Sequence, residues 1–223
     1  MDKYILDGQY GKYLEMIGVK VGEALKASGV PEDLFSHKKP MLDEADYFRF
    51  MEAVGKQVKD PQLPITVATA DQIETFSPPI FAAYCSRNGK MCCERLARHK
   101  RIIAPMRYEI TEKGDALEVA MTASRDDLTI PQFLAESEMV FIIHIIRTAT
   151  KEEIIPIEVR MTNPPKDKNF SEYAGCPVVK GKEDAIVFNA EDMEKPFISY
   201  NEAMWDFLEP ELQKRLYEME KRS

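Results

Sequence analysis

From Pro131 towards Thr150 the chain carries an apolar run, Met139-Val140-Phe141-Ile142-Ile143 followed by His144-Ile145-Ile146, inside a helical pattern that opens at Phe133. The apolar residues occupy more than one side of that helix, so it needs cover on both. A chain containing such a segment must supply two layers to bury it. The run falls well short of the ~20 apolar residues that cross a bilayer, and so reads as a buried helix and not a membrane span.

The first layer is helical. Tyr13, Leu14, Ile17, Val21, Ala24 and Leu25 recur at three- and four-residue steps, predicting one helix that ends near Ser28, where Gly29-Val30-Pro31 stops it. Pro31 opens a short helix through Leu34 and Phe35. Asp43, with Asp46 three residues on, caps a third helix bearing Tyr47, Phe50, Met51 and Val54. Ile65 to Thr69 reads equally as a strand or an extended linker. From Pro78-Pro79 a helix pair follows, broken at Asn88-Gly89.

The second layer is a sheet. Met106 to Ile110 and Leu117 to Met121 alternate around Glu112-Lys113-Gly114-Asp115, which predicts a β-hairpin. Ile155 to Met161 alternates as a further strand, with Pro156 at its start. Two short strands fit the segments around Val178 and Ala185 to Phe188. A last helix, Glu202 to Arg222, carries Trp205, Leu208, Leu212, Leu216 and Met219 on one stripe, with Pro210 marking a kink or restart. The order predicts an α+β fold: an N-terminal helical layer on a mainly antiparallel sheet, an inserted buried helix and a C-terminal connector helix. Residues 1–200 are expected to form the main domain, helical to about 104 and sheet-forming from 105, with 201–223 as the connector.

Composition narrows the function. A hydrophobic content of 44% with 30% charged residues is that of a globular domain, not a fibrous or low-complexity chain. Thirty Lys and Arg against thirty-eight Asp and Glu leave a net charge of −8, which opposes direct binding to nucleic acid. Asp7 and Gln9 interrupt the N-terminal apolar residues, so no export signal is expected. Four cysteines, two of them adjacent, suit a reduced cytoplasm.

Catalytic and metal signatures are lacking. Gly8, Gly11, Gly18 and Gly22 have no following Lys-Ser/Thr, and read as local flexibility only. There is no Gly-x-Ser-x-Gly elbow and no histidine pair at metal-binding spacing. Cys92-Cys93 and His99 lie near Arg95 and Arg98, but on a helix positions 93 and 99 point some 120° apart. A core cysteine beside a surface histidine is the expectation. Arg87, Lys90, Arg95, Arg98, Lys100 and Arg101 read as the solvated side of an amphipathic helix. No enzyme, cofactor or metal is expected.

His144 has two readings: a core histidine bonded to backbone or carboxylate, or a polar anchor in a ligand pocket. Glu136 stands eight residues earlier, about 12 Å along the helix on roughly the same face. Phe81, Tyr84, Phe133 and Phe141 serve either as the walls of that pocket or as plain core. The stripe Trp205, Leu208, Leu212, Leu216, Met219 either packs on its own domain or meets a twin in a homodimer.

The segment Phe170–Phe197 contains Tyr173-Ala174-Gly175-Cys176-Pro177-Val178, then Ala185-Ile186-Val187-Phe188-Asn189 and Met193-Glu194-Lys195-Pro196-Phe197. It resembles the end of the arabinose-binding-type regulatory domain of AraC-type bacterial transcription regulators. The helix around Glu94 to Ile103 and the run Val159 to Pro165 look like the same domain, and the likeness extends from about Tyr13 to Leu216. The resemblance implies a cytoplasmic effector-sensing domain that precedes two helix-turn-helix motifs, which do not follow Leu216 here. DNA would then be met only through that separate domain. The effector expected is an apolar or amphipathic small molecule, since sugar sites want several carboxylates and amides around an aromatic platform; a protein effector is the other option. The rival reading is a stand-alone small-molecule-binding protein.

Overall fold

A computed structural model describes residues 3–6, 10–70 and 77–221. Gly8 of the glycine series and Arg222 at the end of the expected last helix lie outside the described residues. The architecture is α+β and is organised around the apolar helix, here Gln132–Thr150 (α7). Met139, Val140, Ile143, Ile146 and Ala149 are fully buried along it. One flank packs against helices Glu44–Gln57 (α3) and Leu63–Ala68 (α4), and another reaches strand Asp184–Asn189 (β7).

The five-stranded sheet begins with the expected hairpin, Met106–Lys113 (β3) and Ala116–Ala123 (β4), in register Lys113↔Ala116. Gly114 takes the left-handed φ of +60° that this tight turn requires. The strand order is β3-β4-β7-β5-β6, with β5 at Glu158–Met161 and β6 at Val178–Lys180. Pairing is antiparallel throughout except for β5 with β6. The parallel pair follows from the helix Asn169–Ala174 (α8), which carries the chain back before β6 starts. The strand expected from Ile155 starts only at Glu158, and Ile155 and Ile157 stand exposed beside it.

The helical layer departs from expectation in three places. The single helix expected to Ser28 is two, Tyr10–Met16 (α1) and Val21–Ser28 (α2). Gly18, at φ +95°, ends α1 while the N–H groups of Gly18 and Val19 donate to the carbonyls of Glu15 and Leu14. Its role is therefore specific, not mere flexibility. The side-chain amide of Gln57 holds the backbone N–H and carbonyl of Lys20 at 2.7 and 2.8 Å, which sets the direction of α2. Ile65 to Thr69 lies neither in a strand nor in a linker but largely within α4. Pro64 fits its first turn, and burial of Ile65, Val67 and Ala68 outweighs the β preference of the branched side chains. Lys3–Ile5 (β1) pairs with Met41–Asp43 (β2), a ladder the sequence pattern does not signal.

Elsewhere local signals act as read. Leu34–Ser36 forms one 3-10 turn, and the Asp43 carboxylate accepts from the Asp46 N–H at 2.8 Å to cap α3. Helices Pro78–Tyr84 (α5) and Gly89–Ile103 (α6) are separated by Asn88, whose side chain accepts from the Met91 N–H. A short helix, Ala190–Met193 (α9), follows β7. The last helix, Glu202–Glu220 (α10), runs unbroken through Pro210, which sits exposed. One hydrophobic core extends from Tyr4 to Phe197, while Ala82, Trp205 and Leu212 form a small separate cluster that seats α10.

Candidate functional site

A cavity of about 1210 Å³ opens between β1, α1, α3, α6, α7 and the end of α10. Its apolar wall includes Met51, Leu96, Phe133, Leu134 and Phe141, each buried. These side chains face one space because α3, α6 and α7 each turn an apolar stripe inwards, as helices flanking a common core must. Lys3, Lys12 and Lys39 stand exposed at the rim on three different segments, and Arg215, Glu218 and Met219 of α10 complete it.

The polar floor is built around one carboxylate. Glu138 lies 2.6 Å from the Lys100 ammonium, which is only 3% exposed, and it accepts a hydrogen bond from the Tyr108 hydroxyl. The ammonium also sits 5.0 Å from the centre of the Tyr108 ring. Pairing of this kind is what makes a buried charge tolerable, since either partner alone would carry an uncompensated desolvation cost. Burial first, and then the neighbouring Glu138 charge, pushes the Tyr108 phenol well above its ordinary range. Burial does the same to Tyr10 and Tyr47, with smaller contributions from Glu138 and nearby phenols. All three remain neutral hydrogen-bond donors.

Phe133 and Phe141 border this cavity, whereas Phe81, Tyr84, Glu136 and His144 are not among its lining residues. Ile80 lines it in place of its neighbour Phe81. The Tyr84 carbonyl accepts from Ser199 Oγ at 2.5 Å, tying α5 to the chain that leads into α10. Glu136 stands about 100° around α7 from the lining residue Ser137. It is buried, and burial, with some help from the Asp167 charge, raises its carboxyl to about 7. His144 is half-buried. Lys100, Glu138, Tyr10 and Tyr47 are polar residues of the cavity lining that sequence reasoning did not single out.

The basic run is a solvated face only in part: Arg87 and Arg98 are exposed, but the run also reaches into the protein. Arg95 and Lys100 are buried, and the cations reach acidic partners on other elements: Lys90 meets Glu112 at 2.8 Å, Arg95 meets Glu202 at 3.1 Å and Arg98 meets Glu209 at 3.2 Å. Sequence spacing on one helix carries no information about partners that lie more than a hundred residues away. His99 likewise is buried, not on the surface; its Nδ1 lies 3.2 Å from the Arg95 carbonyl, and burial lowers its pKa. Cys92 and Cys93 are fully buried. Burial pushes the Cys93 thiol up to about 12, helped by Glu94, and holds Cys92 well above the thiol range despite the opposing charge of Arg95. A thiolate nucleophile is disfavoured at both.

Arg95 also stacks on the connector. Its guanidinium lies 3.7 Å over the Trp205 ring, with His99 against the same indole at 5.9 Å. Trp205 and Leu212 are buried against their own domain, with Leu208 partly so, and Leu216 and Met219 are half-buried. The stripe on α10 therefore faces inwards, and the large apolar side chains left outside on this helix are Phe207 and Tyr217. Among the described residues no helix is long and apolar enough to cross a membrane.

The fold and cavity define an α+β domain with a largely apolar cavity open at one rim. Residues 18–197 match the arabinose-binding domain of AraC transcription regulators, the N-terminal domain of those proteins. The chain belongs to that family. The crystal structure of the transcriptional regulator CdpR from Pseudomonas aeruginosa resembles it with a TM-score of 0.60 at 14% identity, over 92% of this chain and 65% of that one. At that identity the likeness is one of fold, and the chain spans just under two thirds of the regulator's length. No curated protein matches the chain.

Proposed function

We propose that this domain senses a small molecule in the cavity and passes the signal through α10 to a DNA-binding domain carried elsewhere, as in an AraC-type transcription regulator of the bacterial cytoplasm. The observation that carries the reading is the double attachment of α10. Its first turns are clamped to α6 through Arg95–Glu202, Arg98–Glu209 and Trp205, whereas Arg215, Glu218 and Met219 further along form part of the cavity wall. A ligand that fills the cavity touches the far half of the helix while the near half stays fixed. Its differential contact with α10 then supplies the coupling free energy that any allosteric step needs. The mostly apolar wall suits an apolar or amphipathic effector and a binding role without catalysis. Phe207 and Tyr217, exposed on the outer side of α10, offer apolar surface to a second copy in a homodimer.

The test is amide hydrogen exchange with and without a saturating neutral apolar probe, N-phenyl-1-naphthylamine. Residues 211–219 should gain protection while the β3–β4 hairpin stays unchanged. Arg95→Ala should raise exchange across the first turns of α10 and shift Trp205 fluorescence. Identical exchange of α10 with and without bound probe would overturn the coupling.

A further inference from the structure

We infer that the ligand of this cavity is an amphipathic organic acid, its apolar body held between α3, α6 and α7 and its carboxylate received by phenol hydroxyls and lysines. The inference rests on reading the cavity as the sensing site and adds the chemical class of what enters it.

Three independent features converge. The charges on the floor cancel, because Lys100 and Glu138 satisfy each other at 2.6 Å, so the interior attracts neither cation nor anion by net charge. What stays open there is hydrogen bonding. Tyr47 lines the cavity at 6% exposure, and its hydroxyl makes no hydrogen bond among the described residues. Tyr10 also lines it, and its hydroxyl reaches only the Met51 sulfur at 3.7 Å, a weak acceptor. Neither hydroxyl has an oxygen partner among the described residues, and both phenols, kept neutral by burial, are free to donate to an acceptor on the ligand.

The rim then chooses the sign. Arg215 is paired with Glu211 at 3.1 Å, which leaves Lys3, Lys12 and Lys39 facing Glu218 as the one uncommitted carboxylate of the lining. Among the described residues no carboxylate lies within ion-pair distance of those three lysines. Among the described lining residues this is a surplus of positive charge at one mouth of a chain whose net charge is −8, a local field that favours an anion. Long lysine stems can also cover an apolar body while their ammonium groups stay hydrated beside an acid group. A neutral polar ligand would gain hydrogen bonds but no Coulomb attraction from the lysines, and a cation would be repelled by them.

The experiment displaces N-phenyl-1-naphthylamine from the chain with decanoate, decan-1-ol or decyltrimethylammonium, all below micelle-forming concentration. Decanoate should compete at roughly tenfold lower concentration than the alcohol, with the cation weakest, and the gap should narrow at high salt. Lys12→Glu combined with Lys39→Glu should erase that preference by weakening decanoate far more than the alcohol. Tyr47→Phe should weaken decanoate about tenfold with little change in thermal midpoint. Ile80→Trp, which narrows the cavity, should weaken all three. Equal displacement by acid and alcohol, or a preference for the cation, overturns the inference and leaves the cavity standing as a ligand site. A preference for decanoate that survives both the lysine and tyrosine changes places the acid elsewhere and overturns it too. Failure of the naphthylamine to bind at all overturns both the inference and the sensing role of the cavity.

Discussion

Where α7 meets the sheet, Ile186 and Phe188 of β7 and Ile143 of α7 are all fully buried, and the core is closed. Where the same helix meets α3 and the helices before it, Phe133 and Phe141 are just as apolar but border a cavity of about 1210 Å³. Similar side chains thus do two jobs on two sides of one helix. Close packing collects dispersion contacts and stabilises; a gap forgoes those contacts and keeps room for a guest. The difference places close packing in the sheet half and open volume in the helical half.

Truncation tests that division most strongly. Phe188→Ala should cost about 3–5 kcal/mol in urea unfolding, while Phe141→Ala should cost roughly half as much because one side of its ring already lacks neighbours. Equal losses would erase the contrast between the two sides. A smaller effect comes from Glu136, buried on the same helix. Its folded-state carboxyl, raised to about 7, holds a proton that the unfolded chain releases near 4.5. Stability from this group is therefore full below about pH 4.5 and lost as pH rises towards about 7. Glu136→Gln should flatten the slope and stabilise the domain at pH 8 by about 2 kcal/mol, read from unfolding curves between pH 5 and 8. An unchanged slope in that variant would mean the carboxyl titrates normally.

The smallest expected effect sharpens the helical side. Gly18→Ala should cost about 1 kcal/mol through its left-handed backbone alone, since nothing lies within 4 Å of the added Cβ. Thermal unfolding measures it, and a neutral result would show that the α1–α2 break tolerates a side chain.

Much of the fold was legible because its signals are local. Asp43 with Asp46, Asn88 before Gly89, and Gly114 in the hairpin each act within a few residues, through hydrogen bonds or dihedral freedom that depend little on what lies across the core. The α4 segment was not legible in this way. Its branched side chains favour extended backbone in isolation, and only burial against α7 tips them into a helix. The break at Gly18 was hidden for a related reason, since apolar spacing continues across it.

The site divides along the same line. Phe133 and Phe141 were readable as candidate walls from the apolar helix that bears them. Lys100 was not, because in sequence it is one more cation in a basic run, and its partner Glu138 lies on another helix. The same holds for Arg95, whose stacking on Trp205 joins residues more than a hundred positions apart.

The amino-acid sequence by itself determined the two-layer α+β plan, the buried central helix and membership of the regulator family. Periodicity, capping and turn chemistry are short-range properties, and the family pattern is written in the order of residues. Tertiary structure alone decided which charges are buried, which are paired and where empty volume remains. Those depend on the distances between elements distant in the chain, and on the desolvation that each group meets once they are packed together.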